Sequence, residues 1–185
     1  MATRSSSPRL ASPNNLCEMF LRDLELLLGT SRLIKRSVLV LRKPRAVSPE
    51  LTKIIDTIIA LCDGGEGYLN DALSEAGAVL PSLPESTTNA VIEGFISAVP
   101  VTLAPAVFAA EVIANLRLLV QHFELKAVLA AEAALLVGQT RLSRALLKWS
   151  AEWRNFGEIL RSVTVRVRAQ AYVADLNPAA APQFA

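Results

Sequence analysis

The chain has 185 residues with 52% hydrophobic and 19% charged side chains, a length that fits one domain with a sizeable core. Two cysteines exclude a disulfide scaffold, and a single histidine excludes the usual multi-histidine zinc or di-iron sites. Aromatic residues make up only 5%, which argues against a surface dominated by base stacking. The composition therefore indicates a chain of long helices without visible catalytic chemistry.

The formal net charge of +2 conceals three blocks of opposite sign. Residues 26–45 carry six basic and no acidic side chains, and residues 47–125 carry two basic and ten acidic ones. Residues 138–170 carry seven basic and two acidic side chains. Such blocks predict either pairing of basic with acidic helices inside the molecule or separate surfaces for partners. Internal pairing is the favoured interpretation.

The two ends of the chain are predicted to be tails. Residues 1–13 are rich in serine, arginine and proline and contain no acid, which predicts a disordered arm. The same composition fits a short organellar targeting segment. Residues 177–185 contain Pro178 and Pro182, which cannot continue a helix, and are predicted to form a flexible tail. Residues 14–176 are then expected to form a single helical domain.

Two helices are predicted in the N-terminal half. Apolar residues recur at steps of three and four over residues 16–41 and predict a helix spanning about 15–43, which ends before Pro44. The Ser-Pro-Glu triplet at 48–50 has the residue types of a helix start, because serine caps, proline fits the first position and glutamate favours the positive end. An apolar stripe over residues 51–62 continues this second helix.

A glycine cluster at residues 64–67 is predicted to interrupt the second helix. Its sequence, Gly-Gly-Glu-Gly, lacks the lysine and the flanking strand of a phosphate-binding loop. We therefore interpret it as a hinge between helices. A further helical piece is predicted over residues 68–80, where Pro81 ends it.

Residues 105–137 predict a long helix whose two halves differ. One arc is apolar along the whole length, and from Leu125 onward the opposite side becomes apolar as well. The second half is therefore expected to be buried on most of its faces. The uncharged run at 94–110 approaches the length of a membrane span, but its two prolines favour a buried segment or an interfacial hairpin.

The last helix carries the clearest pattern in the sequence. Eight apolar residues at alternating steps of four and three, from Leu142 to Val167, predict more than three heptads of a and d positions. The position after each d residue is small, which would let a neighbouring backbone approach closely. These small residues are Ser143, Ser150, Gly157 and Thr164.

Three arginines follow the same helix at heptad spacing: Arg154, Arg161 and Arg168. They are expected either to pair with acids of the middle block, such as Asp56, Asp63 or Glu75, or to bind an anionic partner. Together with the four small residues they form the candidate interaction site.

No catalytic set can be recognised. His122 has no second histidine, and Glu124 lies on a different face of the same predicted helix. Glu93 and Glu132 lie in apolar surroundings, but neither has an identifiable carboxylate or histidine partner. No catalytic residue, cofactor or metal ligand is therefore assigned.

The sequence predicts an all-α fold: a bundle of four to six helices with long antiparallel helices and a heptad-like C-terminal helix. The mean hydropathy of +0.37 is high for a monomer and favours burial against a membrane surface, another subunit or further copies. The leading hypothesis is a non-enzymatic structural or interaction protein that associates with a membrane surface or a larger protein assembly.

Two alternatives remain open. One is a coat or nucleic-acid-associated subunit that uses the basic C-terminal helix, and the other is an enzyme whose site is not readable from the sequence. The expected partner is a protein, or a second copy, bound through apolar helix faces. An anionic lipid surface is a further candidate, and nucleic acid ranks below both. The protein is expected inside the cell, with a membrane or organellar location left open.

Overall fold

The computed structural model describes residues 16–41, 49–75, 94 and 105–176, and the statements that follow concern those residues. They form four long helices and no strand, which confirms the all-α prediction and agrees with the lower end of the predicted helix number. The helices are α1 (Leu16–Val40), α2 (Pro49–Glu75), α3 (Pro105–Leu136) and α4 (Thr140–Leu176). The predictions for residues 1–13, 76–80 and 177–185, for Glu93 and for most of the 94–110 run lie outside the described residues.

The helices pack in a closed ring around one core. The most extensive packing joins α3 to α4, followed by α1 to α2, and α1 also contacts α3 while α2 contacts α4. Large apolar side chains from all four helices are fully buried at the centre. They include Leu24, Ile34, Ile55, Leu69, Phe123, Trp149 and Trp153.

The core of α1 follows the predicted apolar seam. Phe20, Leu24, Leu27, Ile34 and Val38 are buried, as their spacing requires on one face of a helix. The helix also passes without interruption through its polar centre. There the Thr30 hydroxyl donates to the carbonyl of Leu26, 2.6 Å away, so a buried polar group is satisfied within the helix.

The prediction of a hinge at residues 64–67 is wrong, because α2 continues through all three glycines. Each glycine inside a helix costs about 1 kcal/mol relative to alanine, but packing of the buried residues on either side, Cys62 and Leu69, holds the helix together. Gly65 also has a packing role. A Cβ atom built there would lie 2.0 Å from ring carbons of Trp149, so only glycine admits this indole ring.

The prediction that the second half of α3 is buried on most faces is also wrong. Leu125, Leu129, Leu135 and Leu136 are exposed. The neighbours α1 and α4 cover only the arc that carries Ala127, and no other described helix packs on the opposite side. None of the described helices contains a stretch of 18 residues apolar enough to cross a membrane.

A short turn at residues 137–139 joins α3 to α4. Gly138 adopts a positive φ of 80°, the left-handed conformation that glycine tolerates at the end of a helix. The amide of Gly138 donates to Leu135 O at 3.1 Å, and the amide of Gln139 donates to Ala134 O at 2.8 Å. This pair of bonds is a Schellman motif, which fixes the end of α3 relative to the start of α4.

Candidate interaction surfaces

The predicted small-residue stripe of α4 lies in the interior of the molecule. Its members Ser143, Ser150, Gly157 and Thr164 are all buried. A Cβ atom at Gly157 would lie 3.4 Å from Val120 Cγ1, so the backbone of α4 approaches α3 closely at this point. Two of the buried hydroxyls are satisfied within the helix, because Ser150 donates to Leu147 O at 2.8 Å and Thr164 donates to Leu160 O at 2.6 Å.

Each of the three predicted arginines pairs with a carboxylate. Arg154 Nε lies 2.7 Å from Glu124, and Arg168 lies 3.4 Å from Glu111, so both join α4 to α3. Arg161 lies 3.5 Å from Glu158, one turn away in its own helix. These partners correct the suggested pairing with Asp56, Asp63 or Glu75. All three arginines are exposed, and exposed ion pairs contribute less than about 1 kcal/mol each.

The charge blocks of the sequence pair with one another across helix interfaces. From the basic block of α1, Lys35 pairs with Asp63, and Arg32 lies 3.7 Å from Glu66. From the basic block of α4, Arg166 pairs with Glu50 at the start of α2. Together with the pairs of Arg154 and Arg168, these contacts join basic and acidic residues of different helices. They agree with the favoured interpretation of internal pairing.

Three aromatic side chains anchor the centre of the bundle. The Phe123 ring contacts Trp149 edge-on with ring centroids 5.0 Å apart, and it contacts Trp153 with centroids 4.7 Å apart. The Trp149 indole N–H donates to the carbonyl of Leu61, 2.6 Å away in α2. Aromatic contacts of this kind bury large apolar areas, so the three rings pack α3 against α4, and the Trp149 hydrogen bond links α4 to α2.

The pKa values of Cys62 and His122 are shifted by burial. Burial raises the pKa of the Cys62 thiol to about 12, which keeps it in the poorly nucleophilic thiol form at neutral pH. Burial and the nearby charge of Lys126 lower the pKa of His122. Among the described residues, no group of three histidine, cysteine, aspartate or glutamate side chains is placed to hold a metal ion.

A shallow groove lies where α1 meets α3. Its volume is about 100 Å³, well below the roughly 300–1,000 Å³ of common small-molecule sites. The side chains of Asp23 and Lys126 stand at this groove beside apolar residues. The groove is therefore too small to enclose a typical cofactor.

The side of α3 that faces away from the core carries a row of exposed leucines. Leu118, Leu125 and Leu129 retain 49%, 57% and 53% of their accessible surface. At 100° per residue they fall within an arc of about 40° and extend over about 17 Å. We call these three residues the outer leucine face. The sequence pattern predicts burial for Leu125 and Leu129 but does not single out Leu118.

A second exposed cluster surrounds the turn between α3 and α4. Leu135 and Leu136, the last residues of α3, retain 58% and 71% of their surface. Arg141, Arg144 and Lys148 follow in the first turns of α4 and are exposed. Their i, i+3, i+7 spacing places the three cations on one face of the helix. We call these five residues the basic-leucine end.

No protein-family model matches the sequence, and no curated protein matches it significantly.

Proposed function

We propose that the protein is a non-enzymatic structural or interaction protein that joins a larger assembly through the outer leucine face. The observation that carries the proposal is the alignment of Leu118, Leu125 and Leu129 on a rigid helix with half of each side chain exposed. Exposed apolar residues gathered on one surface of a folded protein are characteristic of protein contacts. Covering half of a leucine side chain contributes about 1 kcal/mol, so burial of the row on both partners favours association.

The surroundings of the outer leucine face favour a protein partner over a lipid surface. The polar residues one helical turn from the row include Gln121, His122, Lys126 and Glu132, so its borders carry side chains of both charges together with uncharged polar groups. A lipid-binding helix normally has an excess of lysine and arginine beside its apolar side. A second copy of this chain offers a matching row of leucines, and symmetric self-association is the commonest form of assembly. We therefore propose a second copy as the partner.

The proposal includes an antiparallel arrangement of neighbouring helices. Two ion pairs join α3 to α4, Glu124–Arg154 and Glu111–Arg168. The partner earlier in α3 pairs with the residue later in α4, as antiparallel helices require. The contacts between α1 and α2 follow the same rule, with Lys35 next to Asp63 and Arg32 next to Glu66. The short turn at residues 137–139 is also typical of antiparallel neighbours.

A heptad-like role for α4 is part of the same proposal. It is supported by the burial of successive a and d residues along the helix, and these residues are Leu146, Trp149, Trp153, Phe156, Leu160 and Val167. The nucleic-acid alternative receives less support, because Arg154, Arg161 and Arg168 each face a carboxylate rather than standing unpaired.

The test is the mass of the protein in solution as a function of concentration. Sedimentation equilibrium of the full chain should show a reversible rise from monomer toward dimer. The combined variant Leu118→Gln, Leu125→Gln and Leu129→Gln should stay monomeric while its helical circular dichroism signal is unchanged. A matched control, Ile159→Gln with Val165→Gln, removes exposed apolar residues from α4 and should dimerise as the wild type does.

Two results would contradict the proposal. One is a wild-type chain that is monomeric at every concentration. The other is a triple glutamine variant that associates as strongly as the wild type.

A further inference from the structure

The basic-leucine end differs from the outer leucine face in its charge. Arg141, Arg144 and Lys148 form no ion pair with any described residue. Further along the same helix, Arg154, Arg166 and Arg168 each meet a carboxylate of another helix. Unpaired cations are therefore concentrated at one end of α4, beside the two exposed leucines.

The position of Arg141 is unfavourable for the helix itself. The amino end of a helix carries partial positive charge, so acidic residues are favoured there and basic residues are disfavoured. The first turn of α4 contains no acidic residue, and Arg141 is its second residue. Helix stability therefore does not explain the basic residue in the first turn of α4.

The leucines at this end are held in fixed positions. The Schellman bonds at Gly138 and Gln139 close the end of α3, and the amide of Ser143 donates to Gln139 O at 2.9 Å to begin α4. Leu135 and Leu136 thus lie at a helix end whose backbone conformation is fixed by hydrogen bonds. Burying their side chains against a binding surface requires no further folding of this segment. Leu136 has the largest exposed fraction of all large apolar side chains in the described part of the chain.

We propose that the basic-leucine end is a docking site for an anionic lipid surface. Leu135 and Leu136 enter the boundary between headgroups and acyl chains, while Arg141, Arg144 and Lys148 lie against the negatively charged headgroups. Apolar insertion combined with electrostatic attraction is the general mode of peripheral membrane binding. Nucleic acid fits this site less well, because its phosphate backbone attracts the cations but offers no apolar environment for two leucines.

The experiment is co-sedimentation of the full chain with vesicles of two compositions, phosphatidylcholine alone and phosphatidylcholine mixed with phosphatidylserine. Binding is expected only to the mixed vesicles and should weaken as salt is raised. The variant Arg141→Gln, Arg144→Gln and Lys148→Gln should bind on the order of 100-fold more weakly, since each cation near an anionic surface contributes roughly a fivefold factor. The variant Leu135→Ser with Leu136→Ser should lose at least about tenfold.

Two control variants make the result specific. The combined change Arg154→Gln, Arg161→Gln and Arg168→Gln removes the same number of charges from the paired part of α4 and should bind vesicles as the wild type does. The triple glutamine variant of the outer leucine face tests self-association, and it should still bind vesicles. Failure of the assembly proposal is therefore distinguishable from failure of this one.

The proposal is overturned if the wild type does not bind the mixed vesicles, or if it binds both compositions equally. It is also overturned if the variant lacking Arg141, Arg144 and Lys148 binds as the wild type does while circular dichroism shows that it is folded. A short DNA duplex serves as the test for nucleic acid. If the wild type binds it, the variant lacking the three cations does not, and the variant Leu135→Ser with Leu136→Ser still does, then the ligand of this site is nucleic acid and not a lipid surface.

Discussion

The inner and the outer side of α3 both carry rows of apolar residues, yet one row is buried and the other is exposed. The inner face places Val120, Phe123, Ala127 and Ala134 in the core without accessible surface, whereas the outer leucine face remains half exposed. In the second half of α3 the leucines are exposed and Ala127, Ala130, Ala131 and Ala134 are buried, whereas in the first half Leu116 and Leu119 are buried. Small side chains on the inner side of the second half allow a neighbouring helix to approach closely.

Hydrophobicity alone does not identify the core of an apolar helix. A helix that is apolar all round is normally buried all round. In α3 one apolar side is covered by α1 and α4, and the other side remains exposed in the described part of the chain.

Truncation in the core beside the inner face should be strongly destabilising. Trp153 is fully buried and contacts Phe123, so Trp153→Ala removes a large ring and leaves a cavity. We expect a loss of about 3–5 kcal/mol in the free energy of unfolding, measured by urea denaturation. A loss below about 1 kcal/mol would mean that the aromatic cluster does not form the centre of the core.

The close approach of Trp149 to α2 predicts opposite effects at adjacent glycines. At Gly65 a methyl group would overlap the Trp149 ring, so Gly65→Ala should cost about 1–3 kcal/mol despite the better helix propensity of alanine. Gly64 has open space around it, and Gly64→Ala should stabilise the protein by up to about 1 kcal/mol. The unfolding temperatures of the two variants check this prediction. Equal changes in unfolding temperature for Gly65→Ala and Gly64→Ala would contradict the packing of Trp149 against Gly65.

The arginines of α4 should contribute only modestly to stability. Replacement of Arg154, Arg161 and Arg168 by glutamine removes three exposed ion pairs, each expected to contribute less than about 1 kcal/mol. The variant should remain folded, and its difference from the wild type should shrink further in high salt. If the variant is unfolded in the same denaturation assay, these ion pairs are required for the stability of the fold.

Truncation on the outer face of α3 should have the smallest effect. Leu125→Ala leaves the core untouched, so the free energy of unfolding of the monomer should change by no more than about 0.5 kcal/mol. The measurement is made at low protein concentration, where association does not contribute. If Leu125→Ala lowers the free energy of unfolding about as much as Trp153→Ala does, Leu125 is buried within the monomer. The outer face of α3 would then not differ from the inner face in burial.

Local spacing in the sequence was sufficient to predict α1 and α4 together with their apolar seams. The steps of three and four that predicted α1 and α4 place Leu24, Ile34, Trp149 and Leu160 in the core, because helical periodicity is a local property that one chain segment specifies alone. The small residues beside the α4 seam were likewise found from spacing. The candidate surfaces were not, since the exposed leucines of α3 have the same composition as a buried face.

The contacts between helices follow from the folded bundle and not from local spacing. There the Trp149 ring packs against Gly65, the glycine cluster lies inside a continuous helix, and Arg154 pairs with Glu124 rather than with the suggested aspartates. Leu125 and Leu136 remain exposed. The physical reason is that periodicity fixes the direction of each side chain around its own helix, whereas burial depends on where the other helices pack, which is set by complementary side-chain volumes across the whole bundle.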